Sequence, residues 1–244
     1  MKYLGSKRRI ADDILPLMLS KMSDEMCFVD AFCGGCSIIE KVPSKYRRIA
    51  NDNNKYLIEM WKKLSENGIE EFPTKIDKDF YADVRKSYRE DSGKYSDSMI
   101  GWVGFMASFN GRFFDGGYSG HNVKVTNGKS RDYIRENIDN ITKQIENIKG
   151  VEFVHGDYFD VVIPDNSLIY CDIPYKDTKQ YSTSLHFDYE MFYEWCRKMK
   201  NNGHLIFVSE YDMPNDFKCI WQKEITNAMH QNNTYKPTEK LYII

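Results

Sequence analysis

Residues 26–37 read Met-Cys-Phe-Val-Asp-Ala-Phe-Cys-Gly-Gly-Cys-Ser, an apolar run that ends in a carboxylate and a double-glycine turn. The run predicts a buried strand over 26–30, and the glycines allow backbone to approach a ligand closely after that strand. A second run, Arg48-Ile-Ala-Asn-Asp52, predicts the next strand and also ends in a carboxylate. With a short helix from Ser37 to Lys41 between the two runs, the segment follows the pattern of a β-α-β unit.

The same alternation of strands and helices continues on both sides of this unit. Ser6 is a candidate N-cap for a helix that reaches about Met22. Further helices are predicted over 55–64 and 131–148, and further strands over 151–155, 168–172, 205–209, 219–225 and 241–244. A polar and aromatic stretch over 66–130 breaks the rhythm. The sequence thus predicts an α/β protein whose sheet of about seven strands is interrupted by one insertion.

The composition describes an ordinary globular chain. Its 244 residues are 41% hydrophobic and 29% charged, and no apolar stretch approaches the ~18 residues that cross a bilayer. No secretory signal is visible, so we expect a cytoplasmic protein that does not associate with membranes. The six cysteines lie mostly in apolar runs and are expected to be reduced core thiols.

Net charge gives no global attraction to nucleic acid, so any basic surface must be local. The formal net charge is −2, whereas residues 74–150 contain 13 Lys and Arg against 11 Asp and Glu. Basic residues are therefore shifted toward the insertion.

Four predicted strands end in or just before an acid, at Asp30, Asp52, Asp157 and Asp172. Acids in these positions are also common as helix caps, which explains any one of them equally well. In an open α/β sheet, however, ligands bind beyond the carboxyl ends of the strands. Asp52 follows the glycine turn at the spacing of a ribose-binding carboxylate, and no phosphate-binding lysine motif is present, which favours a nucleoside ligand.

The segment Asp172-Ile173-Pro174-Tyr175 suits a planar base with an exocyclic amine. The Asp172 carboxylate and the Ile173 carbonyl can accept the two amino protons, and Tyr175 can stack on the ring. A strand that simply ends in a Pro-Tyr turn is the structural alternative.

The chain resembles the Dam-type DNA adenine N6-methyltransferases, most closely the short versions carried by phages and prophages. The resemblance rests on Lys2-Tyr-Leu-Gly-Ser-Lys7, on 28–37, on Ala50-Asn-Asp52, on 172–175 and on Thr238-Glu-Lys-Leu241, and covers nearly the whole chain. It implies a Rossmann-like, S-adenosylmethionine-dependent fold with a mixed seven-stranded sheet and one antiparallel strand. It assigns catalysis to Asp172, Ile173, Pro174 and Tyr175, and cofactor binding to Tyr3, Lys7, Asp30, Phe32, Gly34, Asp52, Asp157 and Asp172.

Two positions depart from the family pattern. Proline usually stands where Ile173 is, and glycine where Cys36 is. Isoleucine at 173 keeps the backbone carbonyl that accepts the hydrogen bond. Cysteine at 36 tightens the turn only if its φ is positive. Cys33 and Cys36 also have the spacing of a redox or zinc pair, but four zinc ligands are not evident, so no metal is expected.

By this resemblance, residues 1–65 and 131–244 form the catalytic domain and residues 66–130 the target-recognition region. Double-stranded DNA is the expected partner, with Asn110 and Arg112 at base edges and Arg8 at the backbone. Arg9, Lys45, Arg47 and Arg48 are weaker phosphate candidates, and an aromatic core loop is the alternative for residues 108–120. Methylation of RNA or of a protein amide, and a catalytically weak nucleic-acid-binding remnant, remain alternative functions.

Overall fold

The computed structural model describes residues 1–125, 128–175, 187–224 and 238–244. Within these residues, seven strands form one sheet in the order β5-β2-β1-β6-β7-β9-β8, and a hairpin pairs β3 with β4. The strands are β1 Cys27–Asp30, β2 Arg47–Asp52, β3 Val123–Lys124, β4 Ser130–Arg131, β5 Val151–His155, β6 Leu168–Asp172, β7 Leu205–Glu210, β8 Lys218–Glu224 and β9 Thr238–Ile243. In the large sheet β9 is antiparallel to its two neighbours, β7 and β8, and the other described strand pairs are parallel. The predicted mixed seven-stranded Rossmann-like fold is confirmed.

The strand order reverses between β1 and β6. From β1 the chain builds outward through β2 to β5 and then returns to place β6 on the other side of β1. Parallel pairing brings Asp30 beside Tyr170 in β6 and Asp172 beside Ser209 in β7. The carboxyl ends of these strands therefore meet at a switch point, where open α/β sheets bind ligands.

Helices cover both faces of the sheet. They are α1 Ala11–Leu19, α2 Lys55–Asn67, α3 Lys78–Glu90, α4 Asp97–Met106, α5 Tyr133–Ile148 and α6 Tyr189–Asn201. One core lies among α1, α2, α4 and α5, and a second core lies beneath α6. No helix in the described ranges is both long and apolar enough to span a bilayer.

Two predicted helices are shorter than the sequence indicated. Ser6 caps only a 3-10 turn, Lys7–Arg9, and α1 starts separately after Ile10. The Lys7 backbone N–H donates to the Ser37 hydroxyl over 3.2 Å, which draws this turn toward the glycine loop. The helix predicted after Ser37 is likewise a 3-10 turn, Ile39–Lys41, because Pro43 follows within two residues and cannot continue a helix.

The segment 66–130 does not have a core of its own. Its helix α4 packs on α2 so closely that a Cβ at Gly101 would stand 2.1 Å from the Tyr56 carbonyl oxygen. The phenyl ring of Phe114 stacks on Tyr88, and Phe113 stacks on Tyr56, so these aromatic side chains of residues 108–120 pack inward. Phe109 is 44% exposed. The aromatic-core alternative therefore describes Phe113 and Phe114, and the boundaries of a recognition region stay a prediction.

Candidate active site

Asp172 stands at the carboxyl end of β6 and forms an ion pair with Lys7. The Lys7 Nζ lies 2.6 Å from Asp172 Oδ1, and the two side chains are 8% and 20% exposed. Burial raises the pKa of Asp172 to about 6, although the Lys7 ammonium opposes this rise. The carboxylate is therefore ionised at neutral pH but far more easily protonated than an ordinary aspartate.

Lys7 also contacts Tyr175, the aromatic residue that the sequence predicts to stack on a base. Its Nζ lies 4.5 Å from the centroid of Tyr175, within the range of a cation–π interaction. The same ammonium donates to the Gly5 carbonyl over 3.3 Å. The N-terminal turn thus joins Asp172 and Tyr175 through one buried cation.

Tyr175 is held at its hydroxyl and at its ring. The hydroxyl donates to a carboxylate oxygen of Glu239 in β9, and the ring of Tyr211 packs edge-on with centroids 4.4 Å apart. Tyr189 in α6 donates its hydroxyl to the Pro174 carbonyl over 2.9 Å, and the Ile173 side chain is buried. The isoleucine that replaces the family proline is therefore fixed by packing.

The glycine turn is shaped around Tyr3. Gly34 has φ of +44°, and a Cβ there would stand 2.6 Å from Tyr3 Cε1. At Gly35 a Cβ would stand 2.7 Å from Tyr3 Cβ. The structure shows close approach of the Tyr3 side chain at this turn, and the approach of a ligand there stays a prediction. Cys36 has φ of +57°, which explains why glycine is usual at this position.

Hydrogen bonds to one strand and two helices fix the glycine turn. The Gly34 N–H donates to Asp52 Oδ2 over 3.0 Å, and the Trp61 indole N–H donates to the Gly34 carbonyl over 3.0 Å. The Gln144 amide donates to the Gly35 carbonyl over 3.2 Å. Strand β2 and helices α2 and α5 therefore hold one loop conformation.

Cys33 and Cys36 do not have the properties of an activated redox pair. Both thiols are buried, and burial raises their pKa, which is the opposite of the shift that activates a cysteine. In the described parts of the chain, no group of three or more His, Cys, Asp or Glu side chains is arranged to hold a metal ion.

Asp30 is a buried carboxylate with unused hydrogen-bonding capacity. Burial raises its pKa well above the usual value, and the Asp172 carboxylate adds to this effect. Among the described residues, its Oδ1 has no hydrogen-bond partner. Since buried polar atoms are normally paired, this oxygen is able to accept a hydrogen bond from a ligand group such as an amine.

The other predicted cofactor residues line the same edge. Asp52 is half-buried and accepts from Gly34 and Asn54 N–H groups, which leaves a lone pair on each oxygen for hydroxyl groups. Asp157 is exposed directly after β5, and the ring of Phe32 packs against Tyr158 with centroids 5.3 Å apart. These side chains fit a nucleoside beyond β2 and β5.

The predicted DNA-contacting residues lie in different environments. Asn110 is exposed with φ of +54°, and a Cβ at Gly111 would stand 2.3 Å from the Lys2 carbonyl oxygen. Arg112 is half-buried two residues later, and Arg8 forms an ion pair with Glu40 at 3.0 Å.

The prediction for Arg48 is wrong. Its guanidinium is buried and donates to the carbonyls of Val42, Asn147 and Lys149. It closes the C-terminal end of α5 and is not available to a phosphate. Among the other weak candidates, Lys45 and Arg47 are exposed and pair with Asp24 and Glu152.

Sequence reasoning did not assign roles to Glu239, Tyr189 or Tyr211. Glu239 lies in the Thr238–Leu241 segment that resembles the family's closing motif, so a signal for it was present. Nothing in the local sequence marks the two tyrosines, because their contacts to 174 and 175 come from distant elements.

Comparison with known proteins identifies the family. The model of the D12 class N6 adenine-specific DNA methyltransferases matches residues 3–236. Among solved structures, the "putative methylase" HI0767 from Haemophilus influenzae is 10% identical, with 96% of this chain and 88% of that chain covered and a TM-score of 0.36. SMU.472, a "putative methyltransferase" in complex with SAH, is 12% identical with a TM-score of 0.38.

The alignment to SMU.472 covers 98% of this chain but only 52% of that chain, so this chain spans about half of its length. No curated protein sequence matches the chain. The family match covers all of the segments from Tyr3 through Tyr175 discussed above. The chain therefore belongs to the D12 class of N6 adenine-specific DNA methyltransferases.

Proposed function

We propose that Asp172, Ile173, Pro174 and Tyr175 carry methyl transfer to N6 of an adenine that has been flipped out of double-stranded DNA. The family supplies the reaction and S-adenosylmethionine as the methyl donor. The observation that supports these residue roles is the position of Asp172 at the strand switch point, beside Lys7 and Tyr175.

The residues around the glycine turn fit the cofactor. The unpaired Asp30 oxygen suits its ammonium group, Asp52 suits its ribose hydroxyls, and exposed Asp157 suits its adenine amine. The walls of the proposed cofactor site are completed by Tyr3, Lys7, Phe32 and Gly34. When bound, S-adenosylmethionine supplies an electrophilic methyl group, which leaves sulfur as its carbon forms a bond to N6.

Asp172 and the Ile173 carbonyl prepare the amine. Each accepts a hydrogen bond from one N6–H, which localises the nitrogen lone pair and stabilises the positive charge that develops as the new bond forms. With a pKa of about 6, Asp172 is mostly ionised at neutral pH and can take up the departing proton and release it to water. No enzyme-bound methyl intermediate is required.

Tyr175 offsets part of the cost of flipping. Extruding a base costs a few kcal/mol, and stacking on an aromatic ring returns about 1–3 kcal/mol. The hydroxyl bond to Glu239 and the packing on Tyr211 hold this ring in one orientation before DNA arrives. We assign residues 66–130 to target recognition. Within this segment Asn110 is exposed, and the neighbouring Gly111 packs on the Lys2 carbonyl.

The first experiment is transfer of labelled methyl from S-adenosylmethionine to unmethylated plasmid DNA, followed by nucleoside analysis and sequencing of the modified sites. We expect labelled N6-methyladenine at a defined sequence, with duplex oligonucleotides preferred over single strands. Labelling of RNA or protein instead would overturn the proposal. Cofactor binding without any transfer would favour the binding-remnant alternative.

The matched variants are Asp172→Ala and Asp165→Ala. Asp165 is an exposed carboxylate that precedes β6, at the opposite end of the strand from Asp172. Only Asp172→Ala should abolish transfer, and equal activity in the two variants would exclude the catalytic role of Asp172.

A further inference from the structure

A groove with an excess of positive charge runs along the outer face of α3, away from the catalytic carboxylates. It has a volume of about 520 Å³, and its charged lining consists of Lys78, Arg85, Lys86, Arg89 and Glu90. Four cations against one carboxylate make this groove far more basic than the chain as a whole, whose net charge is −2.

Helical geometry places the cations in a row. Lys78, Ala82, Arg85 and Arg89 follow one another at intervals of four, three and four residues, so they share one face of α3. At 1.5 Å per residue the row from Lys78 to Arg89 is about 16 Å long. The small side chain of Ala82 leaves the middle of the row open.

These charges are largely uncompensated. Over the ranges that the structure describes, no carboxylate forms an ion pair with Lys78, Arg85 or Arg89, and Lys86 lies 3.9 Å from Glu90. The Arg85 Nε is buried without a hydrogen-bond partner among the same residues. Outside the groove, for example, Lys63 in α2 is paired with Glu71 at 2.7 Å. Unpaired cations in a row indicate a binding surface for an anionic polymer.

Direct contacts connect the groove to the loop of residues 108–120. Tyr118 lines the groove and pairs with Ser108 in an isolated β-bridge, and the Tyr81 hydroxyl lies 3.1 Å from the Ser108 hydroxyl. Gly111 in the same loop packs on the Lys2 carbonyl, one residue before Tyr3 and its contact with Gly34. The loop therefore has the groove on one side and the cofactor turn on the other.

We propose that this groove binds the sugar-phosphate backbone of the DNA duplex next to the flipped adenine. The inference rests on the proposed function and deepens it by assigning a phosphate-contacting surface. The row of about 16 Å matches the axial rise of about five nucleotides of one strand, at 3.4 Å each along the duplex axis. Since phosphates carry no sequence information, these contacts position the duplex while the 108–120 loop meets the bases.

The test is the salt dependence of duplex binding, measured by fluorescence anisotropy. The labelled duplex is unmethylated and contains the sequence that the wild type methylates. Arg85→Gln with Arg89→Gln removes two charges of the row. Lys198→Gln with Lys200→Gln is the matched control, because both lysines are exposed in the last turns of α6, which covers the other face of the sheet.

Removing two phosphate contacts should lower the slope of log Kd against log salt by about 2 and weaken binding by about ten-fold or more at 0.1 M salt. The control should match the wild type. Affinity for S-adenosylhomocysteine and the sequence of the methylated site should be unchanged in both variants. If the Arg85→Gln, Arg89→Gln variant loses thermal stability, the same measurement is made on Lys78→Gln with Arg89→Gln, because both of these side chains are exposed.

If the wild type methylates DNA but the groove variants keep its salt slope and its affinity for duplex DNA, the groove assignment alone is overturned. A wild type that neither binds nor methylates duplex DNA would overturn the proposed function itself. A change in the preferred sequence would show base contacts and would also contradict the backbone role.

Discussion

Replacing Asp172 by asparagine should stabilise the folded protein while abolishing methyl transfer. Burial raises the pKa of Asp172 from 3.8 to about 6. The folded protein therefore binds this proton more tightly than the unfolded chain does, so the carboxyl contributes stability below about pH 4 that is lost as the pH rises through about 6. At 1.36 kcal/mol per pH unit the loss at pH 7 is about 3 kcal/mol, an upper value because the side chain is 20% exposed.

Asparagine has nearly the same shape and stays neutral at every pH, so it removes this cost. We expect the free energy of unfolding at pH 7.5 to increase by about 1–3 kcal/mol, and the melting temperature by about 2–12 °C. The difference from the wild type should shrink as the pH falls to about 4, where the wild-type carboxyl is protonated too. Urea unfolding at several pH values measures both effects.

The matched control for this prediction is Asp165→Asn, an exposed carboxyl at the other end of β6, which should show neither effect. An Asp172→Asn protein that is less stable than the wild type at pH 7.5, or whose difference from the wild type does not vary with pH, would refute the reasoning. Either result would mean that Lys7 more than compensates for the burial of Asp172.

Two further perturbations test the contacts around Asp172 and the glycine turn. Lys7→Met removes the positive charge that lowers the pKa of Asp172. The acidic limb of the kcat/KM profile, expected near pH 6, should therefore move to higher pH by about one unit or more. Lys7→Arg keeps the positive charge and should leave the limb in place. An unmoved limb in Lys7→Met would exclude this role. Gly34→Ala should cost about 2–4 kcal/mol in urea unfolding and weaken cofactor binding, because its Cβ would stand 2.6 Å from Tyr3 Cε1 at a positive φ. Gly93→Ala, also at positive φ but with nothing within 4 Å, should cost only about 1–2 kcal/mol, and equal costs would show that the Tyr3 contact is unimportant.

The strands and their terminal carboxylates were predictable because both signals are local. An apolar run such as 168–172 is buried on both faces of a parallel sheet, and the acid that follows it is read directly from the sequence. Once the alternation of strands and helices implies parallel pairing, Asp30, Asp52 and Asp172 must meet at one edge. The resemblance to a known family added that one strand of the sheet is antiparallel, without identifying which strand it is.

Contacts between distant residues were not predictable in the same way. Lys7 and Asp172 are separated by most of the chain, and a lysine near the N-terminus looks the same in sequence whether it is solvated or buried in an ion pair. Arg48 illustrates the opposite error, because its three carbonyl partners lie at 42, 147 and 149 and only the fold brings them together. Charge is visible in a sequence, but its burial and pairing are not.

The carboxylates at the switch point fit a reaction that passes through positive charge. Burial raises the pKa of Asp30, Asp52 and Asp172, so keeping them ionised costs folding energy. In the described parts of the chain Lys7 pairs with Asp172, and neither Asp30 nor Asp52 takes part in an ion pair. A ligand that brings cationic groups, as a sulfonium amino acid does, compensates this excess of negative charge and lowers all three pKa values. In the mechanism proposed above, the same field stabilises the positive charge on the methylated amine, so that mechanism gives a reason for the energetic cost of these carboxylates in the free protein.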